Sequence, residues 1–159
     1  MIRQITASDI PDCVKVIRDS FMTIAEQFDI TPENAPAFTA FATDEAKVRH
    51  WMDVQHRPMY GFYDDHLIGY YNLYIPSAGE CELGSLCVLP SHRHSRIGGA
   101  LLEDSQARAS ALGCHIMKLS IVEENIVLRK WYETHGFVHT GTKKYDFFPF
   151  TCGYLEKKI

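Results

Sequence analysis

Apolar residues recur along the chain at two spacings, the alternation of strands and the three-to-four-residue period of helices. Ile2 to Thr6 reads as a short strand. Ser8 is then placed to cap a helix through about Phe21, with Ile10, Cys13, Val14 and Ile17 along one stripe. Pro32, Pro36 and several small polar residues make Glu26 to Phe41 a loop with short helical pieces. Thr43 to Trp51 predicts another helix, capped by Thr43. Met59 to Tyr63 and Leu67 to Ile75 flank Asp64-Asp65-His66, a turn between two apolar runs, and so predict an antiparallel hairpin. The turn Pro76 to Gly79 leads into an apolar strand from Cys81 that stops at Pro90. Helix formers from Ala100 to Leu112 end at Gly113, and His115 to Val122 is again strand-like. Val127, Leu128, Trp131 and Tyr132 give Asn125 to His135 an apolar helical stripe closed by Gly136. Phe137 to Tyr145 and Thr151 to Lys157 are the final strands.

Composition narrows the class. With 159 residues, 46% hydrophobic and 23% charged, the chain suits a single domain over 1–159, large enough to bury roughly two-thirds of its unfolded surface. Neither disorder nor a fibrous repeat fits these fractions. The net charge of -4 argues against a broad nucleic-acid footprint, so any anion site must be local. The longest apolar runs fall short of a membrane span, and the early charges of MIRQITASDIPDC lack the apolar core of a secretory signal. A cytoplasmic enzyme is the expectation. Five cysteines without a C-x-x-C pair read as reduced, small core residues. His92-x-His94 has no second ligand cluster in the sequence, so no metal is expected.

The local exception is the turn from Arg93 to Gly99. Backbone NH groups at the start of a helix lack internal acceptors and carry the positive end of the helix dipole, so they converge on anions. Gly98 and Gly99 admit close approach, and His92, Arg93, His94 and Arg96 make the expected ligand strongly anionic, a pyrophosphate rather than a lone carboxylate. Arg93 to Gly98 (RHSRIG) resembles the Q/R-x-x-G-x-G/A acetyl-CoA signature of the GNAT superfamily of N-acetyltransferases. It follows a strand whose Leu86, Val88 and Pro90 match L-x-V-x-P. Asn125 and the run Trp131 to Phe137 (WYETHGF) resemble the family's second motif. One position departs: Arg96 stands at the signature's first glycine. A non-glycine residue there is expected to keep a negative φ, its side chain adding a charged contact to phosphate or lying in solvent.

What the resemblance implies is an α+β, mixed α/β fold, a central twisted mixed sheet of about seven strands with helices on both faces. It also implies acetyl transfer from acetyl-CoA to a primary amine by direct attack in a ternary complex. Backbone NH groups of Leu86, Cys87 and Val88 would hold the pantetheine and polarise the thioester carbonyl. Arg93, His94, Ser95, Arg96, Ile97, Gly98 and Gly99 would cradle the phosphates, and Asn125 would touch the cofactor. Glu82 matches a glutamate that serves some members as general base, and Tyr132 a tyrosine that protonates the departing thiolate. On the residues alone, Glu80 has the same strand parity as Glu82, so either carboxylate, or a water chain, is the base. Tyr132 is alternatively a core tyrosine and Asn125 only a helix cap. Cys87 as an acyl carrier lacks a visible partner base. The acceptor rim implied by the resemblance is Glu26 to Phe41, with Asp29 and Glu33, and Tyr145 to Phe150; an acidic, aromatic rim suits a cationic amine. The phenylalanines are alternatively core or homodimer contacts. The reading from another class is a CoA-binding sensor without turnover, and a longer acyl group is a third.

Overall fold

The computed structural model describes residues 1–159. Seven strands form one sheet: β1 (Ile2–Gln4), β2 (Met59–Asp64), β3 (His66–Ser77), β4 (Glu80–Val88), β5 (Ile116–Val122), β6 (Val138–Lys144) and β7 (Thr151–Lys158). Their order is β1-β2-β3-β4-β5-β7-β6. Every neighbouring pair is antiparallel except β4 and β5. Joining two parallel strands requires a crossover, and α4 (Ile97–Ala111) supplies it.

Alternation along the strands sends side chains to two faces, each covered by helices. On one face α1 (Ile10–Gln27) and α3 (Glu45–Asp53) bury Ile10, Cys13, Ile17, Val48 and Trp51 against Met59, Tyr70 and Cys87. On the other, α4 and α5 (Ile126–Thr134) bury Leu101, Leu102 and Tyr132 against Leu73, Leu83, Met117 and Leu155. Burying each large aliphatic side chain contributes roughly 1.5–3 kcal/mol. A third cluster joins the end of α1, the short α2 (Thr39–Ala42) and the segment before β7, around Phe38 and Phe150.

Two helix starts differ from the sequence reading. A 3₁₀ turn (Ala7–Asp9) precedes α1, and the Asp9 carboxylate accepts from both the NH and the hydroxyl of Thr6 at 2.8 Å. Ser8 makes only a hydroxyl contact to Thr6. Burial alone would raise the Asp9 pKa, but hydrogen bonds from Arg3 and Thr6 outweigh it and bring it down to about 2. Asp44, not Thr43, caps α3 by accepting from the Lys47 NH at 2.8 Å. The Thr43 hydroxyl instead donates back to the Thr39 carbonyl, finishing α2. α1 also runs past Phe21 to Gln27 before the chain turns at Asp29, φ +53°. Gly113 and Gly136 end α4 and α5 with positive φ, as a helix C-terminus favours.

The central strands then part. β4 and β5 pair only from Glu80/Ile116 to Glu82/Lys118. Just beyond, Ser85 takes φ +50° where the register to β3 slips by one residue, between Asn72↔Gly84 and Tyr70↔Cys87. Such a bulge bends its strand, and beyond it the β5-facing edge of β4 has no partner strand. No helix is long and apolar enough to cross a membrane.

Candidate active site

The gap between the parted strands is a cleft of about 610 Å³. Its walls are β4 from Leu83 to Val88, β5 from Leu119 to Ile121, the start of α4, the inner face of α5 and the C-terminal half of α1. Leucine, isoleucine and valine side chains make the middle apolar, while the unpaired edge of β4 leaves backbone donors and acceptors facing it.

At the mouth lies the turn into α4. The first backbone bond of that helix is donated by Ala100 to the Arg96 carbonyl at 3.1 Å. The NH groups of His94, Ser95, Arg96, Ile97, Gly98 and Gly99 have no acceptor in the protein. Six successive free donors at a helix N-terminus form an anion-binding nest. The turn is made by left-handed residues, His94 at φ +64° and Arg96 at φ +68°, ψ 7°. The expectation of a negative φ at Arg96 is therefore corrected. The chain must reverse sharply between the 3₁₀ turn Pro90–His92 and α4, and the left-handed geometry that suits glycine is retained although arginine occupies the position. Gly98 and Gly99 do not serve the protein's own packing. A Cβ at either would meet only ordinary contacts, at 3.6 Å to Trp131 and 3.8 Å to His135. Their missing side chains keep the cleft wall open.

Of the residues expected at the cofactor, Leu86, Cys87, Val88, Arg93, His94, Arg96, Ile97, Gly98, Gly99 and Asn125 line the cleft, as does Tyr132. Ser95 lies outside the lining, its hydroxyl bonded to the His92 carbonyl. Arg93 is spent on the fold: Nε donates to the Val88 carbonyl at 3.1 Å, and the terminal nitrogens to Thr23 Oγ1 and the Ser20 carbonyl at 3.0 and 2.8 Å. It ties the turn to α1, which leaves Arg96 as the arginine of this turn with no protein acceptor. Arg96 also borders a second, polar hollow with Glu103, Gln106, His135 and Lys157.

Asn125 caps α5, Oδ1 accepting from the Leu128 NH at 3.2 Å. That cap sets the helix that carries Tyr132. Tyr132 is 6% exposed and lines the cleft, and its hydroxyl makes no hydrogen bond to protein. Burial, with a smaller contribution from Cys87, pushes its pKa far above 10, so it remains a neutral donor. Burial likewise pushes the Cys87 thiol up to about 12, which keeps it protonated and unsuited to carrying an acyl group.

Glu82 does not line the cleft. It is exposed on the α1/α3 face of β4, one residue before Leu83, with no ion-pair partner. Glu80 is instead paired with Lys118 at 3.2 Å. Ser120, which does line the cleft, shares that face with Lys118, the residue paired with Glu82 between β4 and β5. The aromatic rim is mostly core. Phe150 packs on Phe38 and Phe148 at 5.6 and 4.6 Å between centroids, and Phe147 alone among the three phenylalanines of that loop is largely exposed.

The family model described as the acetyltransferase (GNAT) family matches residues 19–137, three-quarters of the chain. The chain belongs to the GNAT acetyltransferase family. Solved GNAT structures share its fold. PaiA N-acetyltransferase from Thermoplasma acidophilum, in complex with coenzyme A, superposes with a TM-score of 0.83 at 24% identity, covering 100% of this chain and 98% of that one. A ribosomal-protein-alanine N-acetyltransferase from Brucella melitensis gives 0.77 at 20% identity, covering 100% and 99%. A GNAT acetyltransferase from Elizabethkingia anophelis with acetyl-CoA bound gives 0.65 at 19% identity, covering 74% and 84%. At these identities the likeness is one of fold. No curated protein matches the sequence. The GNAT reading was carried by Arg93 to Gly98 and Trp131 to Phe137; the bulge at Ser85, which opens the cleft, had no sequence signal.

Proposed function

We propose that this GNAT enzyme binds acetyl-CoA along the cleft, pyrophosphate on the turn into α4, and transfers acetyl to a primary amine by direct attack in a ternary complex. The observation that carries this reading is the unbroken run of free NH groups from His94 to Gly99 at the mouth of an apolar cleft. A site built that way suits a ligand with a polyanionic head and a narrow, amide-bearing tail. When bound, acetyl-CoA supplies an activated thioester.

The chain's own groups divide the remaining work. Backbone donors on the free edge of β4 at Leu86 to Val88 hold the pantetheine and polarise the carbonyl. Glu82, free of an ion pair where Glu80 is engaged, accepts the proton of the incoming amine directly or through water. Tyr132 donates a hydrogen bond to the departing sulfur. Its pKa lies above that of a thiol, near 8.5, so the tyrosine stabilises the thiolate through that bond, and solvent settles the final protonation. Arg93 fixes the turn, and Arg96 faces the phosphates with its side chain.

Melting the protein with and without acetyl-CoA, then following thiol release over a panel of amines, tests the reading. At a hundredfold excess over Kd, linkage raises native stability by about 2.7 kcal/mol, and an analogue lacking the pyrophosphate stabilises far less. A melting curve unmoved by saturating acetyl-CoA overturns cofactor binding. Stabilisation without thiol release from any amine overturns transfer and leaves a sensor.

A further inference from the structure

Arg57 lies between α3 and β2, over the sheet face shared by α1 and α3. Its guanidinium is half-buried between the rings of Trp51 and Tyr74, 5.1 and 4.7 Å from their centroids. Nε donates to Gln55 Oε1 at 2.6 Å and one terminal nitrogen to Asn72 Oδ1 at 3.0 Å. Asn72 is fully buried and fixed at its other end, donating to the Tyr70 hydroxyl at 3.2 Å. Gly84 makes room for that amide, since a Cβ there would come within 2.4 Å of Asn72 Oδ1. Side chains from α3, the following loop and β3 thus seat one cation, with β4 giving way to them. None of them is an acid.

No Asp or Glu lies within ion-pair distance of Arg57. A charge taken partly out of water is costly unless paired, and the second terminal nitrogen has no protein acceptor. The seat is also well placed. Tyr74, under the guanidinium, pairs directly with Glu82 across the β3/β4 ladder, and Asn72 pairs with Gly84. Arg57 and Glu82 are thus opposite charges, one tyrosine apart and unpaired, on the sheet face to which Ser120 of the cleft lining also belongs. Lys118, the other cation on this stretch of sheet, is neutralised by Glu80.

We infer that Arg57 anchors a carboxylate carried by the amine acceptor, which makes the acceptors amino acids or short peptides with a free carboxylate rather than simple amines or polyamines. The inference rests on the acetyl-transfer reading and narrows it. A guanidinium presents a planar fork of donors that matches a carboxylate, while Glu82 attracts the ammonium end. A polyamine would meet repulsion at Arg57.

The test follows acetyl-CoA-dependent thiol release with matched pairs, amino acids and dipeptides against their carboxamides, with spermidine alongside. The free acids should exceed their amides in kcat/KM by about tenfold or more. Arg57→Gln should collapse that ratio toward one, and Arg57→Lys, which keeps the charge but loses the fork, should retain part of it. Melting curves and acetyl-CoA calorimetry establish that each variant folds; should the glutamine variant fail, the lysine variant still reports on the ratio. Equal rates for acid and amide in the unaltered protein, spermidine as the best acceptor, or an acid preference untouched by the substitutions overturns the inference while transfer stands. Thiol release with none of the amines overturns transfer, and the inference with it.

Discussion

Arg96 allows the backbone and the side chain of the phosphate turn to be separated. At φ +68° its Cβ is held in the left-handed region, which costs an L-residue roughly 1–2 kcal/mol. Arg96→Ala and Arg96→Gly both delete the guanidinium, but only glycine also deletes the Cβ. Glycine returns about 0.4–1 kcal/mol through the greater freedom of the unfolded chain. The glycine variant should therefore be more stable than the alanine variant by about 0.5–1 kcal/mol. In a chain of 159 residues a difference of that size separates melting temperatures by roughly 1–4 °C. Acetyl-CoA affinity should behave differently. The strain is present in free and bound protein alike and cancels, so both variants should bind more weakly than the parent by about 1 kcal/mol, or roughly fivefold. That loss should shrink as salt rises. Thermal melts of the free proteins and calorimetry at two salt concentrations measure both quantities. A glycine variant no more stable than alanine would refute the left-handed turn. Tighter binding by glycine than by the parent would show that the arginine obstructs the site.

Tyr132→Phe should lower kcat by ~10²-fold or more with little change in acetyl-CoA Kd; weakened binding with kcat preserved would make the tyrosine a packing residue. Glu82→Gln should lower kcat more than Glu80→Gln does, because Glu80 is already engaged by Lys118 at 3.2 Å; the reverse order in steady-state rates would move the base to Glu80. Asp9 titrates at about 2 in the folded protein against 3.8 in the unfolded chain, so its ionised form favours folding. That contribution is complete above about pH 4 and is lost as pH falls toward 2. Urea melts should accordingly show Asp9→Asn less stable than the parent at neutral pH, with the gap closing across that range; a gap independent of pH would contradict the ion-pair account.

Where periodicity is set by one dominant face, the sequence predicted the element well. β2, β5, α5 and β7 alternate or repeat cleanly, and glycine at 113 and 136 stops two helices where positive φ is needed. The errors fall where several polar residues compete for one helix end. Thr6, Ser8 and Asp9 are all capping types, and Thr6 takes the N-cap of the 3₁₀ turn because its NH and hydroxyl are both held by the Asp9 carboxylate, which Arg3 also binds. Thr43 and Asp44 compete likewise, and the residue adjoining the first turn prevails. Arg93 reads as a phosphate ligand because charge is visible in a sequence whereas a partner seventy residues away, Thr23, is not. Ser85 and Arg57 were silent for the same reason: a bulge and an aromatic seat are both made by tertiary contacts.

The non-glycine residues with positive φ divide in a way that bears on how the cleft works. Asp29, His56 and Asp65 sit at turns between elements, where the chain is free to bend. Ser85, His94 and Arg96 instead border the cleft, one in the middle of a strand and two in the phosphate turn. Holding three such residues costs several kcal/mol in sum, by the usual ~1–3 kcal/mol for each, and the neighbouring core must impose them. Leu83 and Val88 flank the bulge from within the main cluster, and Arg93 staples the turn to α1 through three bonds. The strain goes with exposed backbone: beyond the bulge the edge of β4 is uncovered, and the left-handed turn leads into a run of free NH groups. A β4/β5 ladder continued past Glu82 and Lys118 would have paired the β4 edge within the protein. Arg93→Ala should consequently weaken acetyl-CoA binding in calorimetry, since it releases the three bonds that hold the turn to α1 and β4; an unchanged affinity would refute the staple.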